Sequence, residues 1–180
     1  MPGAIVSVIC NSGLNRSVRE FGLIDTGEIL DKTKELLLKE FEKSEEGISD
    51  GMDIALCKLQ DNLLSYSGAN NPLWIVRNGE LLETKADKQP IGRYRRSKPF
   101  NTHTIRLEKG DTIYIFSDGY PDQFGVEKEK KYMTRKFKSF LISIQANSME
   151  EQHKLLDEEF EKWKGKLDQI DDVCVIGVRV

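Results

Sequence analysis

Asp111-Thr112-Ile113-Tyr114-Ile115-Phe116-Ser117-Asp118-Gly119 is the stretch on which the fold turns. β-Branched and aromatic residues fill it from Thr112 to Phe116, after a turn at Lys109-Gly110, and it reads as a strand. It ends on a carboxylate followed by a glycine. An Asp just past a buried strand stands on a rigid support while its head reaches a cleft. That suits a hard divalent cation, which prefers oxygen ligands. Near the end of the chain, Asp171-Asp172 opens the apolar run Val173-Cys174-Val175-Ile176-Gly177-Val178 in a comparable way. Two strands presenting Asp at adjacent ends could converge on one metal ion. The same residues also fit an ordinary turn and an ordinary loop, and their spacing does not separate the two readings.

Outward from this strand, the neighbouring segments alternate in the manner of an antiparallel meander. Thr104-Ile105-Arg106-Leu107 is expected to pair across Lys109-Gly110 with the 111–119 strand. Leu73-Trp74-Ile75-Val76-Arg77 and Glu80-Leu81-Leu82 flank Asn78-Gly79, the strongest short hairpin signal. Ile54-Ala55-Leu56-Cys57 is apolar on both faces and reads as a central strand. Leu63-Leu64-Ser65-Tyr66-Ser67 follows, broken by Gly68-Ala69-Asn70-Asn71-Pro72. Asp50 and Asp53 fall at one end of this region, where a solvated hairpin end is favoured over a metal pair. The loop from Gln89 to Lys98 carries Arg93, Arg95, Arg96 and Lys98 within six residues. Such a loop is a solvated surface or a receiver for a phosphorylated partner; solvation is the simpler reading.

Helical spacing brackets the meander. Asp25-Thr26-Gly27-Glu28 is a helix start, with Asp25 as N-cap and Glu28 reaching back. Ile29, Leu36, Leu37 and Phe41 form the core stripe that follows, and Ser44-Glu45-Glu46-Gly47 ends the helix. Met133, Phe137, Phe140, Leu141 and Ile144 form a second stripe. Ser148-Met149-Glu150-Glu151 is a capping box for a third helix, with its stripe at Leu156, Phe160, Trp163 and Leu167. Pro2 fits a helix first turn, yet Ala4-Ile5-Val6-Ser7-Val8-Ile9-Cys10 fits a buried helix or a buried strand equally well. The order of elements is α+β, with helices layered outside sheet.

The 180 residues suffice for one domain, 1–180, with a core of its own. With 38% hydrophobic and 32% charged residues the chain is of the soluble globular class. A net charge of -3 argues against a general nucleic-acid binder. No apolar run reaches the length of a membrane span and no signal peptide is visible. Cys57 and Cys174 sit in apolar runs, Cys10 makes the number odd, and no Cys-x-x-Cys occurs. They are expected to be buried thiols in a reducing, cytoplasmic setting. With only His103 and His153 beside them, a zinc site is not expected.

Taken in order, Pro2-Gly3-Ala4, Asp50-Gly51-Met52-Asp53, Gly68-Ala69-Asn70-Asn71-Pro72-Leu73, Pro90-Ile91-Gly92, Ser117-Asp118-Gly119, Asp122-Gln123-Phe124-Gly125 and Asp171-Asp172-Val173 form a set. This set resembles the bacterial sporulation-stage-II-E type serine phosphatases, within the metal-dependent, type 2C protein phosphatase superfamily. The resemblance covers nearly the whole chain. It implies a two-layer antiparallel β-sandwich flanked by α-helices. It also implies a binuclear Mn²⁺ or Mg²⁺ centre that hydrolyses phosphoserine or phosphothreonine on a signalling partner, such as an anti-sigma-factor antagonist. By this resemblance Asp118 matches the Ser/Thr-Asp-Gly ligand and Asp172 the ligand at the Asp-Asp strand start.

One departure stands out. The family's metal-bridging Asp lies just before the Pro-Gly-Ala segment, and here Met1 precedes Pro2 directly. The expectation is therefore a domain lacking its N-terminal strands, inactive as it stands, with weak or no metal occupancy. Exposed sheet edges are then expected to support a homodimer. The competing expectation is a pseudophosphatase that acts as a protein-binding regulatory module.

Overall fold

The computed structural model describes residues 3–42, 51–126 and 130–180. Pro2, Asp50 and the expected helix end at Ser44-Glu45-Glu46-Gly47 lie outside them. The elements in order are α1 (Gly3–Arg19), α2 (Thr26–Glu42), β1 (Gly51–Met52), β2 (Ile54–Gln60), β3 (Leu63–Ala69), β4 (Leu73–Arg77), β5 (Glu80–Thr84), β6 (Ile91–Gly92), β7 (His103–Arg106), β8 (Thr112–Phe116), α3 (Gly119–Asp122), α4 (Thr134–Ser143), α5 (Met149–Lys164) and β9 (Val175–Arg179). The chain divides into two compact units. One holds Met1–Pro72 with Lys85–Leu107, the other Leu73–Thr84 with Glu108–Val180.

In the first unit an antiparallel sheet runs β2-β3-β7, and a two-residue ladder joins β1 to β6. The segment 4–10 is helical. Val6, Cys10 and Ser17 of α1 are buried whereas Ile5 and Val8 are exposed, the stripe expected of a helix lying on a core. α2 starts where the sequence indicates. Asp25 Oδ1 accepts from the backbone N–H of Gly27 and of Glu28, both at 3.0 Å, and Ile29, Leu36, Leu37 and Phe41 are buried. Leu30, Leu37, Phe41, Ala69, Ile91 and Phe100 share one core with Val6 and Cys10. Two expectations are corrected here. Ile54 to Cys57 lies in β2, at the edge of the sheet, and β3 is the central strand. β7 pairs with β3, from Leu63 opposite Arg106 to Tyr66 opposite His103, and not with β8. The Lys109-Gly110 turn is real, with Gly110 at φ 94, but it carries the chain from one sheet to the other.

The second unit holds the sheet β5-β4-β8-β9, antiparallel throughout. The β4–β5 hairpin turns on Asn78 (φ 50) and Gly79 (φ 80), the left-handed pair of a type I′ turn. One face of this sheet carries Trp74, Tyr114 and Phe116. α4 and α5 cover it with Phe137, Leu141, Ile144 and Phe160. Phe137 sits at the centre, with ring centroids 4.4 Å from Tyr120, 5.2 Å from Phe116 and 5.6 Å from Trp74. Met133 leaves the expected stripe, exposed at the N-cap of α4 with φ 76. Leu167 lies past the end of α5 and is exposed. α5 begins with the full capping box, Ser148 Oγ accepting from the Glu151 N–H and Glu151 from the Ser148 N–H. Tyr114 OH donates to the buried Gln152 Oε1, and burial pushes this phenol up to about 12. Arg179, near the end of β9, donates to Thr112 Oγ1 at 3.1 Å, the Asn147 carbonyl at 2.8 Å and the Gln145 carbonyl at 2.6 Å. Among the described residues no helix is long and apolar enough to cross a membrane.

The thiols part from expectation. Cys10 is buried and Cys57 half-buried, whereas Cys174 is exposed. β9 borders β8 on one side only, and the apolar run that contains Cys174 is left exposed at Ile176 and Val178 as well.

Candidate metal centre

β8 is the support for Asp118. Thr112, Ile113, Tyr114 and Phe116 are buried, held between β4 and β9. At its end the chain turns into α3, with Asp118 in helical geometry (φ -71, ψ -13) and its carbonyl accepting from the Asp122 N–H at 3.0 Å. Asp118 is exposed while Gly119 behind it is buried.

Asp172 is held beside this turn by backbone contacts. Ser117 Oγ donates to the Asp172 carbonyl at 2.8 Å and accepts from the Cys174 N–H at 2.9 Å. The Ser117 N–H donates to the Cys174 carbonyl at 2.9 Å. Gly119 comes so close that a Cβ there would lie 2.4 Å from the Asp172 carbonyl oxygen, so only glycine fits. The segments carrying Asp118 and Asp172 are thus in direct contact, and both carboxylate residues are exposed. Its neighbour Asp171 accepts the Asp172 N–H on Oδ1 at 2.7 Å.

Three positioning residues carry no metal-ligating signal of their own. Ser117 and Gly119 flank Asp118 in the quoted motif, but their positioning roles come from the contacts above. Gln123 is fully buried. Its Nε2 donates to the Asp168 carbonyl at 3.0 Å and to the Phe124 carbonyl at 3.1 Å, and its Oε1 accepts from the Ile170 N–H at 3.3 Å. It thereby anchors the segment that leads into Asp171-Asp172. The only hint in the sequence is that Asp122-Gln123-Phe124-Gly125 belongs to the ordered motif set.

The other candidates are engaged elsewhere. Asp122 pairs with Lys131 at 2.8 Å. Asp53 accepts from Asn70 Nδ2 at 2.8 Å. His103 stacks on Tyr66, centroids 6.0 Å apart, and His153 is exposed on α5. A cavity of about 420 Å³ beside α5 and β9 is lined by Tyr120, His153, Phe160 and Cys174 among others, but neither Asp118 nor Asp172 lines it. The candidate site is therefore an open ledge at the sheet's end. Its donors are hard carboxylate oxygens, the right chemistry for Mn²⁺ or Mg²⁺. Among the described residues no group of three or more His, Cys, Asp or Glu gathers to hold an ion.

Comparison with solved structures places the architecture in a class. The SiaA-PP2C domain of Pseudomonas aeruginosa superposes with a TM-score of 0.87 at 22% identity, over 100% of this chain and 71% of that one. The PP2C phosphatase domain of SpoIIE from Bacillus subtilis, with a fragment of its regulatory domain, superposes at 0.73 and 20% identity, over 98% of this chain and 50% of that one. The RsbU and RsbW domains of a Mycobacterium tuberculosis protein give 0.71 at 15%, over 99% and 48%. The fold is that of PP2C phosphatase domains. No match is found among curated proteins. The family model described as Stage II sporulation protein E (SpoIIE) matches residues 4–180, so the chain belongs to that family.

Proposed function

We propose that these residues form a single phosphatase-like domain, acting in the cytoplasm on a phosphorylated signalling protein of the anti-sigma-factor antagonist type. In this reading Asp118 and Asp172 are carboxylate ligands of Mn²⁺ or Mg²⁺. The observation that supports it is the contact between the two Asp-bearing segments, Ser117 bridging to both Asp172 and Cys174 while Gly119 abuts the Asp172 carbonyl. Ions held by Asp118 and Asp172 would supply Lewis-acid chemistry for hydrolysis of a phosphate ester. The chain's own part is to hold two carboxylates on rigid backbone and to leave the ledge open to a protein substrate. A hard cation takes about six or more oxygens, so two carboxylates imply weak occupancy and no turnover by these 180 residues alone.

Addition of Mn²⁺ to the isotopically labelled chain tests the assignment without relying on activity. Paramagnetic broadening is expected first at the amides around 117–119 and 171–174, and it is expected to vanish in Asp118→Asn and Asp172→Asn. Broadening centred elsewhere, or surviving both substitutions, removes the assignment.

We also propose that a second copy pairs at a sheet edge. Edge strand β9 leaves Ile176 50% and Val178 43% exposed, and β2 leaves Leu59 49% exposed. Exposed strand edges offer unpaired backbone groups to another chain.

A further inference from the structure

The loop 93–98 belongs to the first unit and is set apart by its charge. Arg93, Arg95, Arg96 and Lys98 give it +4, and with -3 for the whole chain the remainder carries -7. All four residues are exposed, and Tyr94 among them is 46% exposed. Three other arginines are occupied: Arg16 pairs with Glu20, Arg77 with Glu108 and Asp111, and Arg179 bonds two carbonyls. Among the described residues no carboxylate bonds the guanidinium of Arg93, Arg95 or Arg96.

The base of this loop is firmly held. Gln89 is 3% exposed, and its side-chain amide both donates to the Lys98 carbonyl at 2.7 Å and accepts from the Lys98 N–H at 3.0 Å. Ile91 and Gly92 pair with Met52 and Gly51. The Ser97 N–H closes a turn onto the Tyr94 carbonyl at 3.3 Å, and Lys34 Nζ donates to Ser97 Oγ, bringing a further ammonium beneath the loop. The nearby acids are committed elsewhere. Asp87 accepts from the Asn101 backbone and side chain, both at 2.8 Å, and Asp31 accepts from the Phe100 N–H. Cations held on a fixed turn without counter-ions lose little freedom when a carboxylate arrives, and the planar fork of Arg matches a carboxylate with two bonds.

We propose that the loop 93–98 is a docking site for an acidic segment of a protein partner. Identifying that partner with the phosphorylated substrate rests on the function proposed above; the docking itself does not. A short acidic peptide needs to touch only this loop. A nucleic acid or an anionic bilayer would extend past it over a surface of net negative charge, which opposes binding.

The test uses the full chain without divalent metal, so that it is independent of turnover. The probe is a short fluorescein-labelled peptide rich in Asp and Glu around one unphosphorylated serine, with a neutral peptide as control. Exposed pairs contribute roughly 0.2–1 kcal/mol each, so Arg93→Ala, Arg95→Ala and Arg96→Ala together are expected to weaken binding about tenfold. The triple Arg→Lys variant is expected to retain part of it, keeping the charge but losing the fork's second bond, and added salt to weaken it. Absence of acidic-peptide binding, or binding unchanged by the triple Ala variant, overturns the proposal. So does a preference, through these arginines, for phosphatidylserine vesicles or a single-stranded oligonucleotide over the peptide. Loss of docking with the Mn²⁺ ledge intact, or the reverse, shows which of the two readings has failed.

Discussion

Ser117 Oγ donates to the carbonyl of Asp172 at 2.8 Å, so the residue preceding one candidate ligand fastens the backbone of the other. Because the same oxygen accepts from the Cys174 N–H, Ser117→Ala loses two hydrogen bonds at once. A loss of about 1–2 kcal/mol is expected, read from urea unfolding. Mn²⁺ broadening around Asp172 is expected to weaken together with it. Unchanged stability would mean that solvent replaces both bonds.

Gly119→Ala places a methyl 2.4 Å from the Asp172 carbonyl oxygen. Backbone must move to admit it, and overpacking of this kind costs about 1–3 kcal/mol. Shifts in the amide spectrum are expected to centre on 171–174. A variant with wild-type stability and spectrum would contradict the close approach.

Arg77 and Asp111 form a two-pronged ion pair, 2.8 and 2.6 Å, with the Asp111 side chain 1% exposed. The Arg77 hydrogen bonds hold the Asp111 carboxyl below the usual carboxylate range, against the opposing effect of burial. A depressed folded-state pKa contributes stability that is present above the unfolded value and lost as pH falls through the folded one. Asp111→Asn is therefore expected to flatten the acid limb of a stability–pH curve. At neutral pH, Arg77→Ala leaves a buried carboxylate unpaired and is expected to cost about 3 kcal/mol. Parallel acid limbs in wild type and Asp111→Asn would assign the acid sensitivity to other groups.

Phe137→Ala removes the ring at the centre of the second unit's core. A cost of about 3–5 kcal/mol is expected, with a change in fluorescence from the neighbouring Trp74. Thermal unfolding followed by that fluorescence checks both.

Light scattering tests the edge pairing. The expected result is a dimer that Ile176→Lys returns to monomer, because a charge on an edge strand discourages pairing. A monodisperse monomer at high concentration removes the dimer.

What the sequence discloses is local, and what it hides is partner choice. The β8 strand, the Asn78-Gly79 hairpin, the Asp25 cap and the Ser148 capping box are each written in a few adjacent residues, and each forms as read. β7 is misplaced because a turn signal at Lys109-Gly110 states that the chain reverses, not which strand it then meets; Leu64 and Tyr66 of β3 are the partners chosen. β2 reads as central from its apolar composition, yet strand order depends on pairing across distant parts of the chain. Residues 4–10 fit helix and strand alike because the exposed face of α1 carries Ile5 and Val8 as well as polar residues, which blurs the helical period. At the ledge, Asp118 and Asp172 are visible as strand-end acids. The bonds that make Ser117 and Gln123 positioning residues emerge only once residues more than forty positions apart are brought together.

Arg179 gives the last strand a further consequence. Its guanidinium holds the carbonyls of Gln145 and Asn147, in the turn between α4 and α5, while its neighbour Val180 exchanges backbone bonds with Gly110 and Asp111. Peeling β9 from β8 would therefore strip that turn of one of its two side-chain anchors in the same event, the other being Gln152 of α5. Opening of the strand should then speed amide exchange in the turn, although over thirty residues separate them in sequence.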